Sequence, residues 1–128
     1  MFFFVNNTTT DKIVFFVSED GKDWREHNFD SENEGDLEKS FEKVLQIEKI
    51  KLGDVEGMAV RVGVGRFTAT RLACTFANVL AYSLQIPVIA VEGDDLGEIV
   101  KKLKNTQIGQ YISAVYSAEP RIGGINDK

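Results

Sequence analysis

A strand, a glycine turn and the start of a helix meet in the middle of the chain, in the stretch Val62-Gly63-Val64-Gly65-Arg66-Phe67-Thr68-Ala69-Thr70-Arg71. Such a turn presents main-chain N–H groups where the positive end of a helix dipole favours an anion. Arg66 and Arg71 would add positive charge. Phosphate binding is therefore one chemistry open to this segment, with Gly63 and Gly65 as the candidate residues of the turn.

The glycine turn also has a purely structural interpretation. A dinucleotide-binding fingerprint needs a third glycine at position 68, which is Thr68, and a P-loop needs a Gly-Lys-Ser/Thr sequence that the chain lacks. The two glycines can simply let the chain turn sharply from a strand into a helix. Both interpretations remain open at the level of the motif.

The sequence contains few side chains that could support other catalytic chemistry. The chain has one histidine, His27, and one cysteine, Cys74, so it offers neither a zinc-type ligand set nor an internal disulfide. We expect no catalytic residue, no cofactor and no metal, with His27 on an edge strand and Cys74 inside a helix. A lone thiol suits a reducing compartment, and we expect a cytoplasmic protein.

Charge and hydropathy restrict the class of partner. The 128 residues carry 15 Lys or Arg against 20 Asp or Glu, a net charge of −5. Direct nucleic-acid binding is not expected, because phosphate neutralisation needs a basic face. No segment reaches the roughly 18 apolar residues of a membrane span.

The elements that must position these residues follow from the pattern of apolar residues and breaks. Three strands joined by polar turns precede an amphipathic helix, whose N-terminal capping box is predicted at Ser31-Glu34. Short strands and apolar helices then alternate, with a tail over 120–128. The later elements are a strand over 57–62, a helix over 67–84, a strand over 87–91, a helix from about 96 and a strand over 110–116. This order predicts one α/β domain with a mixed sheet and helices packed over it.

The helix over 67–84 has three stripes at about 100° per residue. The first is expected to face the sheet and comprises Leu72, Phe76, Val79, Leu80 and Ser83. The second is a row of small residues, which would let another helix approach closely, and comprises Ala69, Ala73, Ala77 and Ala81. The third is polar, lies beside Cys74 and comprises Arg71, Thr75, Asn78 and Tyr82. Alternatively, the alanine row packs under a helix of the same domain and the polar arc is solvated.

The turn and the helix after it resemble a known family. The stretch from Gly63 to Leu72 resembles the Gly-Pro-Gly-Ser-Phe-Thr-Gly-Leu-Arg-Ile motif of the bacterial tRNA threonylcarbamoyladenosine biosynthesis proteins of the TsaB (YeaZ) family. The segment from Ala77 to Val91 and the first strand also resemble that family. Val64, Arg66, Ala69 and Thr70 stand where the motif has Pro, Ser, Gly and Leu. Asn6 stands where the family has an aspartate.

The resemblance implies an actin-like, ribonuclease H-like lobe with a βββαβαβ order over 1–96, followed by an extra helix and strand over 97–119 that resemble the start of a second lobe. It further implies a non-catalytic protein that pairs through its first two helices with a homologous catalytic subunit, or with itself as a homodimer. The alternative is a small nucleotide- or phosphate-binding enzyme of the actin-like class, with Asn6, Thr8, Gly63 and Gly65 around the phosphates. The expected partner interface comprises Phe41, Leu45, Arg71, Cys74, Thr75, Ala77, Asn78, Ala81 and Tyr82.

Overall fold

A computed structural model describes residues 1–8, 12–30, 36–63, 67–93 and 95–113, with the main chain alone for Phe67. Within these ranges, the chain forms five strands, three α-helices and a short 3₁₀ helix. They are β1 (Phe2–Asn6), β2 (Lys12–Ser18), β3 (Arg25–Asp30), α1 (Leu37–Glu48), the 3₁₀ helix (Leu52–Asp54), β4 (Gly57–Arg61), α2 (Phe67–Leu84), β5 (Val88–Val91) and α3 (Leu96–Lys104).

The five strands make one mixed sheet in the order β3-β2-β1-β4-β5. The meander β1-β2-β3 is antiparallel, whereas β4 and β5 run parallel to β1 and need helical crossovers. β1 lies in the centre, which explains its unbroken apolar sequence: Phe3 and Phe4 point to opposite faces of the sheet and both are fully buried. The predicted α/β class with a mixed sheet is confirmed.

Helices cover the sheet on both faces. α1 and α2 bury one face, where Phe3, Phe15 and Phe41 belong to a single apolar core. α3 packs on the opposite face through Ile99, Val100 and Leu103. The fit of α3 is close: a Cβ atom on Gly21 would lie 2.6 Å from Cγ2 of Val100, and Gly21 has φ +81°. A glycine is therefore required in this turn for both reasons.

The ends of the helices differ in detail from the sequence expectation. α1 is capped by Asp36, whose carboxylate accepts a hydrogen bond from the Lys39 N–H, and it ends at Lys49 in the left-handed conformation. The capping box predicted at Ser31-Glu34 lies outside the described residues. α2 has the predicted bounds.

The C-terminal part of the described chain corrects one prediction. The strand expected over 110–116 is not formed over 110–113, which is irregular, and 114–116 lie outside the described residues, as does the tail over 120–128. The extra helix before this segment is present as α3. Across the described ranges, no helix combines the length and the apolar character that crossing a membrane requires.

Candidate partner-binding site

The alanine row of α2 faces the sheet, which corrects the predicted orientation of this helix. Ala69, Ala73, Ala77 and Ala81 are buried, and Ala77 has no exposed surface. The sheet beneath supplies large side chains, including the fully buried Phe3 and Met58. Small residues on the helix leave room for this volume, because a protein interior is filled to a fixed density.

The outer face of α2 carries three large apolar side chains that lie in solvent. Leu72 is 60% exposed, Val79 57% and Tyr82 67%. Leu72, Val79 and Ser83 were predicted to face the sheet, and this prediction is wrong. We call the surface formed by Arg71, Leu72, Thr75, Val79 and Tyr82 the α2 outer face; all five residues are exposed.

One flank of α2 packs against α1. The ring of Phe76 contacts the ring of Phe41 at a centroid distance of 5.2 Å. Leu80 and Leu45 are half-buried and pack on the same core. The α2 outer face is therefore continuous with the edge of α1, and the two helices present one surface.

The other flank of α2 holds the segment that follows α3. The Asn78 side-chain amide donates to the carbonyl oxygen of Ile112 at 2.8 Å, and its oxygen accepts from the Ile112 N–H at 2.9 Å. Beside this pair of bonds, the rings of Tyr82 and Tyr111 lie 6.5 Å apart. The polar arc predicted on α2 thus includes a residue that binds main chain within the same protein.

The structure divides the nine residues expected at a partner interface into three groups. Arg71, Thr75 and Tyr82 are exposed, and Leu45 and Asn78 are half-buried at the flanks. Phe41, Cys74, Ala77 and Ala81 lie in the chain's own core and cannot meet a partner in this fold, which corrects their assignment. Leu72 and Val79 were missed as surface residues. The signal that could have found them is the alanine row itself, since small residues suit close packing on a sheet of large side chains.

Cys74 has the properties of a structural thiol. It is 3% exposed, and burial raises its pKa to about 11. A buried thiol with a raised pKa carries little thiolate, which is the reactive form. The residue is therefore unsuited to nucleophilic catalysis.

The glycine turn is less favourable to phosphate than its sequence indicates. Gly63 has φ +92°, and a Cβ atom there would lie 3.2 Å from Cγ and 3.5 Å from Oε1 of Glu92. A carboxylate beside the turn opposes anion binding. The Asn6 side chain accepts hydrogen bonds from the N–H and hydroxyl of Thr8, at 3.1 and 2.6 Å. Gly65 lies outside the described residues.

A charged cluster joins β3 to the end of α1. Glu48 accepts hydrogen bonds from Arg25, the shortest at 2.7 Å, and its Oε2 lies 2.6 Å from Nε2 of His27. The hydrogen bonds from Arg25 hold the pKa of Glu48 below its ordinary value. The predicted position of His27 on an edge strand is confirmed, but its side chain is largely covered. Within the described ranges, no three His, Cys, Asp or Glu residues cluster as metal ligands would.

The strand order, the parallel crossovers and the helices on both faces define an actin-like, ribonuclease H-like lobe. The family model described as TsaD, tRNA N6-adenosine threonylcarbamoyltransferase, matches residues 34–104, which is more than half of the chain. The chain belongs to this family.

Solved structures give the same fold. YeaZ from Pseudomonas aeruginosa matches with a TM-score of 0.59 at 24% identity, over 70% of this chain and 43% of that one. A second structure, described as a protein similar to peptidase YeaZ from Pseudomonas aeruginosa, matches with a TM-score of 0.61 at 23% identity, over 70% of this chain and 42% of that one. The present chain thus spans less than half the length of either structure. The resemblance to the TsaB (YeaZ) family is confirmed in the fold. A comparison with curated proteins gives no match.

Proposed function

We propose that this protein is a non-catalytic subunit in tRNA threonylcarbamoyladenosine modification. It pairs through the α2 outer face and the adjoining edge of α1 with a homologous catalytic subunit, or with a second copy of itself. Membership of the threonylcarbamoyltransferase family supports a role in tRNA threonylcarbamoyladenosine modification. The observation that carries the pairing is the exposure of Leu72, Val79 and Tyr82 on one face of one helix.

Three large apolar side chains on one helical face are an unusual surface for a protein that acts alone. Contiguous apolar patches on soluble proteins mark binding sites more often than scattered apolar residues do. Burying such side chains in a contact removes apolar area from water at roughly 25 cal/mol per Å². Arg71 and Thr75 supply polar groups beside the patch, which is the usual arrangement of an interface rim.

The surroundings of the one histidine and the one cysteine support a non-catalytic role. Cys74 is buried as a thiol, and His27 is bound to Glu48 in a cluster that ties β3 to α1. Both residues therefore have structural partners or surroundings that account for them. Transfer chemistry is accordingly assigned to the homologous subunit.

The test is a pair of matched glutamate substitutions. Leu72→Glu places a charge on the α2 outer face, and Ile47→Glu places one at an apolar residue of similar exposure, 58%, on α1. Ile47 lies one helical turn from Lys43, whose ammonium stands 6.0 Å from the Phe29 ring centroid of β3, so it lies on the flank away from α2.

Association is measured by sedimentation velocity, with the protein alone and mixed with the homologous catalytic subunit. We expect Leu72→Glu to weaken association at least about tenfold, as for a residue at the centre of an interface, and Ile47→Glu to leave it unchanged. A wild-type protein that stays monomeric in both experiments would contradict the proposal. Equal effects of the two substitutions on association would show that the α2 outer face is not the interface.

A further inference from the structure

The face of the sheet that carries α3 has apolar side chains beyond the reach of that helix. α3 has nine residues, and its buried side chains pack with residues of β1, β4 and β5. On β2, Val14 and Phe16 point to the same face and are half-buried. The water-facing side of an antiparallel pair normally carries polar residues. Apolar side chains that stay partly exposed there indicate a binding surface.

A cavity of about 280 Å³ lies over these two side chains, and we call it the β2 cavity. Its described lining residues come from three adjacent strands and the first turn of α3, and they are Phe4, Asn6, Val14, Phe16, Glu26 and Leu96. An apolar cavity of about 150 Å³ is large enough to bind benzene. The β2 cavity therefore has room for a substituted benzene ring, which is the size of a small molecule.

The pairing of the strands sets the positions of the lining residues. Phe4, Phe16 and Glu26 are register partners across β1, β2 and β3, whereas Asn6 pairs with Val14 in the adjacent row. The ring centroids of Phe4 and Phe16 lie 5.7 Å apart, with the ring planes at 25°. Glu26 and Asn6 stand at opposite corners, and the spacing of strands and residues puts their Cα atoms about 12 Å apart. The cavity thus has aromatic and aliphatic walls between two polar ends.

Both polar ends are oriented by hydrogen bonds and keep a group for a ligand. Oε2 of Glu26 accepts from the Asn28 side-chain amide at 2.8 Å. The Asn6 oxygen accepts from the N–H and the hydroxyl of Thr8, at 3.1 and 2.6 Å. Within the described ranges, Oε1 of Glu26 and the NH₂ group of Asn6 have no hydrogen-bond partner. One end therefore offers an anionic acceptor and the other a neutral donor.

The charge around the cavity selects a cation. Glu26 is the one charged residue among the described lining residues. Lys12 and Arg61 belong to the same face of the sheet, but they do not line the cavity and both already have interaction partners. A cation is attracted by the carboxylate and by the faces of aromatic rings. An aromatic body suits the walls, since aromatic rings pack favourably on one another.

The geometry points to the β2 cavity as a binding site for a small aromatic amine. The ammonium group donates to Oε1 of Glu26, and the ring packs on Phe16 beside Leu96. A hydroxyl or carbonyl oxygen at the far end of the ligand accepts from the Asn6 amide. Asn28 is a positioning residue, because it holds the carboxylate of Glu26. The site lies on the opposite face of the sheet from the α2 outer face, so it does not depend on the proposed function.

The probe is tyramine, which carries an ammonium group and a phenolic hydroxyl at opposite ends of a benzene ring. It is titrated at neutral pH into the full chain, isotope-labelled for NMR, and the amide shifts are followed. A ligand of this size is expected to bind with a Kd of about 1 mM. We expect saturable shifts at the amides of Phe16, Glu26 and Leu96. Para-hydroxyphenylacetate keeps the ring and reverses the charge, and it is expected not to bind.

Three substitutions test the assigned roles. Glu26→Gln should raise the Kd for tyramine at least about tenfold, because it removes a charge-assisted hydrogen bond. Glu38→Gln is the matched control, since Glu38 is an exposed carboxylate on α1, which covers the other face of the sheet. Val14→Phe fills the cavity and should abolish the saturable shifts. The spectrum of each variant without ligand shows whether it is folded, and Glu26→Gln carries the test alone if Val14→Phe is not.

Four results would overturn the inference. They are the absence of saturable shifts at about 20 mM tyramine, equal binding of para-hydroxyphenylacetate, shifts confined to residues away from the cavity, and an unchanged Kd in Glu26→Gln. A Kd raised equally by Glu38→Gln would also overturn it, because the effect would then come from the net charge of the chain. Association through the α2 outer face enters none of these results, so the inference and the proposed function can fail separately.

Discussion

The rings of Phe41 in α1 and Phe76 in α2 meet with their centroids 5.2 Å apart and their planes at 74°. This edge-to-face contact, of a kind that stabilises aromatic pairs, fixes the rotation of α2 about its axis. With Phe76 turned towards α1, Ala77 must face the sheet and Val79 must face solvent, since successive residues are about 100° apart. The docking surface proposed for this protein follows from that rotation.

The rotation of α2 predicts opposite sensitivities at two apolar positions. Ala77→Leu adds volume where no surface is exposed and should lower the free energy of unfolding by about 1–3 kcal/mol. Leu72→Ala removes a side chain that is 60% exposed and should change it by less than about 1 kcal/mol in the monomer. Urea denaturation at low protein concentration measures the free energy of unfolding of both variants. If Ala77→Leu left the free energy of unfolding unchanged and Leu72→Ala lowered it strongly, the assignment of the buried and exposed faces would be reversed.

Much of the fold could be predicted from the sequence because its signals are local. The unbroken apolar run in β1, the small and apolar run in α2 and the proline before β5 each specify an element. The position of β1 at the centre of the sheet agrees with its apolar sequence on both faces. The strand expected over 110–116 is not formed over 110–113, because the Ile112 main chain binds the Asn78 side chain instead of another strand.

The candidate site was harder to predict because it depends on the packing partner of each face. Leucine and alanine are both residue types that are often buried, so Leu72 and Ala77 were both candidates for the core. The sequence pattern favours the larger residue, Leu72, as the one that faces the sheet. The sheet already fills the core with Phe3 and Met58, so the smaller residue is the one that fits beneath the helix. No signal in the sequence pairs Asn78 with a residue 34 positions later.

The cluster around Glu48 predicts a dependence of stability on pH. Hydrogen bonds from Arg25 lower the pKa of Glu48 in the folded state, so its contribution is present above the ordinary value of 4.5 and is lost as the pH falls through the folded pKa. Glu48→Gln should lower the free energy of unfolding by about 1–2 kcal/mol at pH 7, as expected for bonds to a charged group whose partner Arg25 is half-exposed.

Denaturant titrations from pH 7 to pH 3 measure this dependence. The difference between wild type and Glu48→Gln should narrow below pH 4.5, and Glu42→Gln, an exposed carboxylate on the same helix, serves as the control. A difference that stays constant over the range would assign the effect of Glu48 to packing and not to its charge.

Cys74 should be unreactive in the folded protein. Its pKa of about 11 and its 3% exposure leave little thiolate within reach of a reagent at pH 8. Labelling with a chromogenic disulfide should be slower than in the urea-unfolded chain by about two orders of magnitude or more, since it requires opening of the core. Rapid labelling of the native protein would show that α2 is less firmly packed on the sheet than its buried alanine row indicates.

The glycine turn should not bind nucleoside triphosphate. Glu92 lies beside Gly63, and the Asn6 oxygen is already engaged by Thr8. A phosphate at this turn would therefore meet a carboxylate, and the nearby Asn6 side chain is a neutral amide whose oxygen is already bonded. Calorimetric titration of the wild type with ATP and magnesium should give no saturable heat, and Glu92→Gln, which removes the charge but keeps the shape, isolates the electrostatic contribution. Binding that appears only in Glu92→Gln would identify repulsion as the barrier. Saturable binding by the wild type would contradict the prediction and revive a nucleotide-dependent role, because the carboxylate would then be compensated by a group that favours phosphate more strongly.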